Sequence, residues 1–376
     1  MHLVLVGGGH AHALVLEDFA RRGPPQSTRI TLVAREAMAP YSGMLPGMIA
    51  GRYAAEEAHI DLAPLAKAAG ARLVADAAVG LDARARRLSL AGGGTIGFDA
   101  ISLDVGITPR LDGIEGAARH AVAVKPISTF LPKWRALLDA ARRADGPRRI
   151  AVAGGGAAGF ELALAIRERL LAEVPDPAAL GVTLVAGEAL LPGLGARARR
   201  LGRAALARRG IALVEHDRAA AIESARLTLA SGRVLDADAA LVTTGARAPG
   251  WFADTDLPRD EAGFLAARDT FQLAGLDHVL AVGDCATVAA HPRPKAGVIA
   301  VRQGPPLARA LRRLAAGEAP EPFAPQSRWL QILTLDRTRA IAAYAGLAAE
   351  GAWAMTLKDR IDRRFMARFP RPASLG

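Results

Sequence analysis

His2-Leu-Val-Leu-Val-Gly7-Gly-Gly9-His10-Ala11-His12, continuing through Ala13 to Phe19, is one of the two stretches that decide the fold. The other is Ile150-Ala-Val-Ala-Gly154-Gly-Gly156-Ala-Ala-Gly159, continuing through Phe160 to Leu171. Each is a short apolar run, a glycine turn, and a segment with helical spacing. A helix that starts at such a turn aims unpaired backbone N–H groups and the positive end of its dipole at an anion, such as a pyrophosphate. One glycine fingerprint alone is a weak signal, so the reading rests on the elements downstream of each copy.

Those downstream elements repeat. The first copy is succeeded by Ile30 to Ala34, Leu88 to Ala91, and Asp99 to Pro109 with Gly106 near its end. The second is succeeded, at similar spacing, by Val182 to Ala186, Leu227 to Ala230, and Asp238 to Pro249 with Gly245 in the matching place. Two copies imply two domains of one fold, not a solenoid. The fold class expected is α/β, two Rossmann-like dinucleotide-binding domains in tandem with a small α+β region at the C-terminus. Residues 1–124 and 250–322 are expected to form the first domain, discontinuous in sequence, 125–249 the second, and 323–376 the tail.

Composition limits the other classes. The chain has 376 residues, half of them hydrophobic, enough for two cores and a smaller piece. Lys+Arg number 48 against 37 Asp+Glu, a formal charge of +11, but only five are lysines and the arginines are scattered among alanines. That is a compositional bias, not a nucleic-acid patch, although it favours anionic ligands or an anionic membrane surface. Cys285 is the single cysteine, which excludes an intramolecular disulfide and a cysteine-only metal site; no metal is expected. The first residues lack a charged leader and no run reaches ~18 apolar residues. A cytoplasmic protein, soluble or peripheral on the inner membrane face, is expected.

In chain order, the first helix should end at Gly23-Pro-Pro25. The next strand should close on an acid that binds a ribose; Ala34 stands there, followed by Arg35 and Glu36, and His12 replaces the third glycine of the fingerprint. Ala39 to Gly51, with Ser42, Gly43, Met44, Pro46 and Gly47, reads as a defined loop. Ala71 to Gly106 suggests an antiparallel meander. Lys125-Pro126 opens the connection to a helix over 127–143. The second fingerprint keeps Gly154, Gly156 and Gly159. Glu161, one turn on, either caps that helix or contacts a bound nicotinamide or its redox partner. Ala186 again takes the acid's place, with Glu188 two residues on. The nearest arginine cluster, Arg197, Arg199 and Arg200, lies on the following helix, so NADH and NADPH both stay open. Gly283-Asp284 places a carboxylate at a sheet edge, where it can hold a polyol. Pro294 to Pro306 reads as a loop and a helix start, interrupted before a second helical stretch, 307–316. The tail ends in an amphipathic helix with Leu357, Ile361 and Phe365 on one face and Lys358, Arg360, Arg363, Arg364 and Arg368 around them. Such a helix docks on the body or a second subunit, giving a homodimer, or lies on an anionic membrane.

Together these pieces resemble the pyridine nucleotide–disulfide oxidoreductase superfamily of flavoproteins. More narrowly, Gly7 to His12, Pro40 to Gly47, Pro294 to Gly297, Arg302 to Gly304 and Lys358 to Met366 are similar to type II NADH dehydrogenases, in a branch often associated or fused with selenide, water dikinase. The resemblance implies FAD on the first turn (Gly7, Gly9, His10, Ala11, His12, and the Ala34-Arg35-Glu36 end), with Asp284 on the ribityl chain and Gly283 and Gly106 beside it. It implies NADH or NADPH on the second turn and Gly245, with Glu161 near the nicotinamide. Pro40 to Pro46, Lys125, and Lys295, Ala296 and Gly297 through Gln303 would surround the isoalloxazine ring, with Lys295 or a helix N-terminus stabilising its reduced form. Glu161, Lys295, Gln303 and Lys125 are thus the catalytic candidates. The redox cysteine pair of the disulfide reductases is absent, and Cys285 is read as a small buried residue. The leading expectation is an FAD-dependent NAD(P)H oxidoreductase with a quinone or another small molecule as acceptor. A reductase of selenium or sulfur metabolism and a flavin-bound sensor are the alternatives.

Overall fold

The structure, a computed structural model, describes residues 1–372. Each glycine stretch begins a parallel sheet. In the first, strand His2–Val6 pairs with Arg29–Ala34 on one side and Ala100–Leu103 on the other, and Ala71–Ala75 extends the far edge. In the second, Arg149–Ala153 pairs with Gly181–Ala186 and Ala239–Val242, with Ile211–Glu215 and Ala121–Ala123 at the edges. Strands buried on both faces are near-continuous apolar runs, as parallel sheets require. In both sheets the glycine-turn strand lies where the strand order reverses, so its carboxyl end opens on a crevice.

The chain returns to the first sheet late: Leu276–Ala281 pairs parallel with Ala100–Leu103, and three short strands complete eight. The meander is smaller than its sequence suggests. Ala78–Asp82, Arg87–Leu90 and Thr95–Gly97 form it, whereas Ala71–Ala75 joins the parallel sheet, since its pairing with Arg29–Ala34 covers an otherwise open edge. Its counterpart in the second domain is Ala219–Ile222, Arg226–Leu229 and Val234–Asp236.

Two segments read as irregular are helical. Within Ala39 to Gly51, Ser42–Met44 forms a 3₁₀ turn and Leu45–Ile49 a short α-helix. Pro46 is tolerated there because it falls in the first turn, where its missing N–H costs nothing. Gly297–Ala315 is one helix with Pro305 and Pro306 inside it, not two. Packing overrides propensity at these prolines: Gly304 lets the helix close on Leu14, whose Cβ would be 2.6 Å from an added methyl. Arg312 then ties the helix end to Asp18 at 2.8 Å.

The tail is a three-stranded antiparallel sheet, Gln331–Thr334, Ala340–Tyr344 and Leu347–Gly351, followed by the helix Ala352–Met366. It straps the two domains. Leu333, Leu335, Ile341 and Ala348 enter the core of the second, and Phe365, Met366 and Phe369 enter the core of the first. Tyr53 Oη donates to Asp359 at 2.7 Å, and Arg363 and Arg368 reach Glu57 and Glu17 at 2.8 and 2.9 Å. The apolar face expected from the sequence is split: Phe365 is buried, but Ile361 is 45% exposed. Lys358, expected among the surface cations, points inward. Among the described residues no helix is long and apolar enough to cross a membrane.

If the helix is docked in this way, Phe365→Ala should cost about 3–5 kcal/mol of stability through the cavity it leaves. Ile361→Ala should stay within about 0.5 kcal/mol. Thermal unfolding of the two variants checks this, and equal effects would mean that the face is wrongly assigned.

Candidate functional site

A cleft of about 420 Å³ opens at the carboxyl end of the first sheet, in the usual range for a cofactor pocket. Gly7 to His10, Ala34 to Glu36, Pro40 and Ser42 line it from one side. Asp104 to Thr108, Lys125, Asp284 and Gly297 line it from the other. The sequence-expected residues Gly7, Gly9, His10, Ala34, Arg35, Glu36, Ser42, Gly106, Lys125, Asp284 and Gly297 therefore share one surface.

Asp104, to which no sequence motif points, sits at the centre. Its carboxylate accepts the backbone N–H groups of Ala11 and His12 at 3.0 and 3.2 Å, at the start of the helix His10–Arg22. It fills the space where Gly9 and Gly283 would carry side chains: a Cβ at either would overlap it. Gly7, at φ +98°, is pressed in turn on the Asp104 carbonyl. These glycines thus serve an internal carboxylate as well as any ligand. Burial pushes the Asp104 carboxyl up to about 7, with the nearby Asp284 adding to the rise and the two N–H donors opposing it. The second copy carries Thr243 in this place, whose hydroxyl donates to the Ala153 carbonyl at 3.1 Å. There the helix Ala157–Leu171 begins with no side-chain cap among the described residues, which leaves its N-terminal donors open to a ligand.

His12 fills the third-glycine position without opening the turn. Its Nδ1 lies 2.8 Å from the Gly7 carbonyl and its Nε2 2.9 Å from Ser102 Oγ. Burial lowers its pKa to about 4, so the neutral ring donates through Nδ1 and accepts from the serine. Its side chain is fully buried and turned from the cleft. His10 differs. It lines the cleft, its Nε2 is buried without a partner among the described residues, and burial lowers its pKa to about 4 despite the pull of Asp284. Its ring meets Tyr41 edge-on at 5.4 Å.

Lys125 Nζ binds Asp284 Oδ2 at 2.8 Å across the cleft wall. Lys295 does not face the cleft. Its ammonium binds the Ala286 carbonyl and Thr287 Oγ1 and lies 4.1 Å from the Phe264 ring centre. Gln303 is also set back; its Oε1 accepts from the Gly283 N–H at 2.7 Å and so positions the Gly283-Asp284 turn. Cys285 is buried, and burial pushes its thiol up to about 12, the character of an inert thiol.

Glu161 neither caps its helix nor lines the cleft. Its carboxylate accepts the Thr334 N–H from the tail at 2.7 Å, and burial raises its pKa against the pull of Lys358. Lys358 donates to the Gly43 carbonyl at 3.0 Å and Asp362 Oδ2 at 3.1 Å. Burial works to discharge that ammonium, but Glu161 and Asp362 outweigh it and hold its pKa above the ordinary value. Tyr41 Oη donates to Asp362 Oδ1 at 3.1 Å, and Tyr41 stacks on Phe365 at 4.6 Å. The helical segment holding Gly43, Met44 and Pro46 is thereby clamped between the tail helix and the second domain. Sequence spacing gives no hint of this cluster, because its members lie far apart in the chain.

The two turns, their sheets and this cleft agree with the sequence match: the chain belongs to the pyridine nucleotide-disulphide oxidoreductase family, whose model covers residues 1–304. Among solved structures it is similar in fold to a sulfide:quinone oxidoreductase from Aquifex aeolicus, at 18% identity over 99% of this chain and 93% of that one, with a TM-score of 0.82. It is similar also to NDH2 from Plasmodium falciparum in complex with NADH, at 12% identity over 99% of both chains and a TM-score of 0.80. A ferredoxin reductase from Rhodopseudomonas palustris shares the fold at 18% identity over 93% and 90% of the two chains, with a TM-score of 0.72. No curated protein matches the chain in sequence. The cofactors of this family, FAD and a pyridine nucleotide, fit the two turns. The unpartnered His10 Nε2 and the glycine cradle suit the first, and the uncapped helix suits the second.

Asp104 gives a pH test. A carboxyl whose folded pKa exceeds its unfolded value of 3.8 binds its proton more tightly when folded. It therefore weakens the fold as pH rises from about 4 to about 7. Asp104→Asn should gain thermal stability relative to the parent between about pH 5 and pH 8. An unchanged difference between their melting temperatures would show that Asp104 does not titrate there.

Proposed function

We propose that the protein is an FAD-dependent NAD(P)H oxidoreductase that delivers electrons to a quinone-like acceptor without a thiol relay. Bound FAD would supply the two-electron chemistry, taking hydride from the nucleotide and releasing electrons to the acceptor. In this reading Asp284, steered by Lys125 and by Gln303 through the Gly283 turn, holds the ribityl hydroxyls, and the first turn with His10 meets the pyrophosphate. The single cysteine, buried and high in pKa, carries no disulfide, so the fold shared with a sulfide:quinone oxidoreductase does not bring sulfide chemistry with it.

The observation that supports a quinone-like acceptor is the Glu161–Lys358–Asp362–Tyr41 cluster, in which the Tyr41 ring packs against Phe365. A quinone is planar and apolar, and its two-electron reduction takes up two protons. Aromatic faces suit its ring, and the Lys358 ammonium, kept charged by Glu161 and Asp362, is a proton donor at Nζ. The Tyr41 hydroxyl, bonded to Asp362, orients the lysine's partner.

Anaerobic titration of the flavin-loaded protein should bleach the oxidised-flavin absorbance with NADH or NADPH. No bleaching by either, with FAD bound, would refute the oxidoreductase reading. Lys358→Met should lower quinone-linked turnover by about 10²-fold relative to ferricyanide-linked turnover, which needs no proton. Equal losses with both acceptors would remove the lysine from proton delivery.

A further inference from the structure

The second nucleotide site departs from the usual pattern where the adenosine ribose of a dinucleotide would lie. In an NADH site a carboxylate at the end of the second strand accepts both ribose hydroxyls. Here Gly181–Ala186 ends on Ala186, which is buried and so tightly packed on Gly155 that a Cβ there would overlap it. Glu215, paired in register with Ala186 on the neighbouring strand, is engaged: it accepts the Leu190 N–H at 2.7 Å and binds Arg203 at 2.7 Å.

An arginine approaches the edge instead. Backbone at Arg218 passes so near Gly187 that a methyl on the glycine would lie 3.0 Å from the arginine Cβ. Arg218 is exposed, and its guanidinium enters no ion pair among the described residues. The first domain offers an internal control. There the corresponding strand ends Ala34-Arg35-Glu36, and Arg35 is neutralised by Glu36 at 3.3 Å, as suits the ribose of FAD, which carries no extra phosphate. In the second domain Gly187 takes the place of Arg35. Arg197 and Arg200, also exposed, open the helix Ala196–Arg208 that leaves the same edge, and its first turn has no acid. Glu188 is the one carboxylate in the strand-end segment that could still read a ribose diol.

We infer that Arg218 is the specificity residue of the second site and binds the 2′-phosphate of NADPH, so that the phosphorylated nucleotide is the preferred donor. A guanidinium offers paired donors that match phosphate oxygens, and the positive edge adds attraction that salt will screen. The inference rests on the reading of the second turn as a pyridine-nucleotide site.

Calorimetric binding of 2′,5′-ADP and 5′-AMP to the FAD-loaded protein tests it without any redox step. The 2′-phosphate should strengthen binding by about 10- to 100-fold, the worth of a hydrogen-bonded charge pair. Arg218→Ala should remove most of that gain and leave 5′-AMP affinity unchanged, and added salt should narrow the gap. Equal or tighter binding of 5′-AMP, or a preference that survives Arg218→Ala, would overturn the assignment. So would loss of 5′-AMP affinity in Glu188→Gln, which would make that glutamate the ribose reader. Any of these, with flavin still bleached by NADH, leaves the oxidoreductase reading standing. Failure of both fragments to bind, with no bleaching by either nucleotide, would overturn both.

Discussion

A carboxylate buried beneath a glycine turn, without a cation in contact among the described residues, is the constraint on which the first domain depends. Asp104 can occupy that position only because Gly9 and Gly283 leave room for it and because two helix N-terminal amides point at it. Its neighbours follow from it. Gln303 holds the Gly283 turn, that turn presents Asp284, and Lys125 neutralises Asp284 at the cleft wall. Loss of water around the carboxylate raises its pKa toward neutrality, which reduces its repulsion of an anionic ligand at the same helix end.

The second organising feature is the tail. Its strands feed the core of one domain and its helix the core of the other, so residues distant in sequence from both glycine turns join the two domains. The buried Lys358 is the junction of this strap. An ammonium removed from water persists only with compensating carboxylates, and Glu161 and Asp362 supply them from two different elements. A basic amphipathic pattern on paper therefore becomes a docked helix whose lysine is internal and whose Ile361 is exposed.

The two-domain architecture was legible in the sequence because its signals are local and repeated: glycine turns, apolar strands of similar spacing, and closing glycines. The residues that gather at the first cleft were legible for the same reason, since a strand followed by a tight turn must present its end at the sheet edge. Proline positions misled where packing outweighed propensity, at Pro46 and at Pro305-Pro306. Resemblance puts Lys295 and Gln303 around the ring, whereas their side chains bond the Ala286 carbonyl, the Thr287 hydroxyl and the Gly283 N–H. Asp104 is illegible in the sequence because an aspartate after an apolar strand looks like an ordinary strand end, and only the packing of Gly9 and Gly283 reveals its place. The Glu161–Lys358 relationship was illegible because it joins segments with no shared local pattern.

Everything proposed for the chemistry requires that the cleft beside Asp104 and Asp284 hold FAD. The most direct measurement is the flavin content of the purified protein and of Asp284→Ala, read from visible absorbance after exhaustive gel filtration. FAD in that cleft predicts a yellow protein with stoichiometric flavin and a variant that loses most of it while remaining folded by circular dichroism. A wild-type protein that neither carries nor takes up FAD, or a variant that retains it undiminished, would rule out that site.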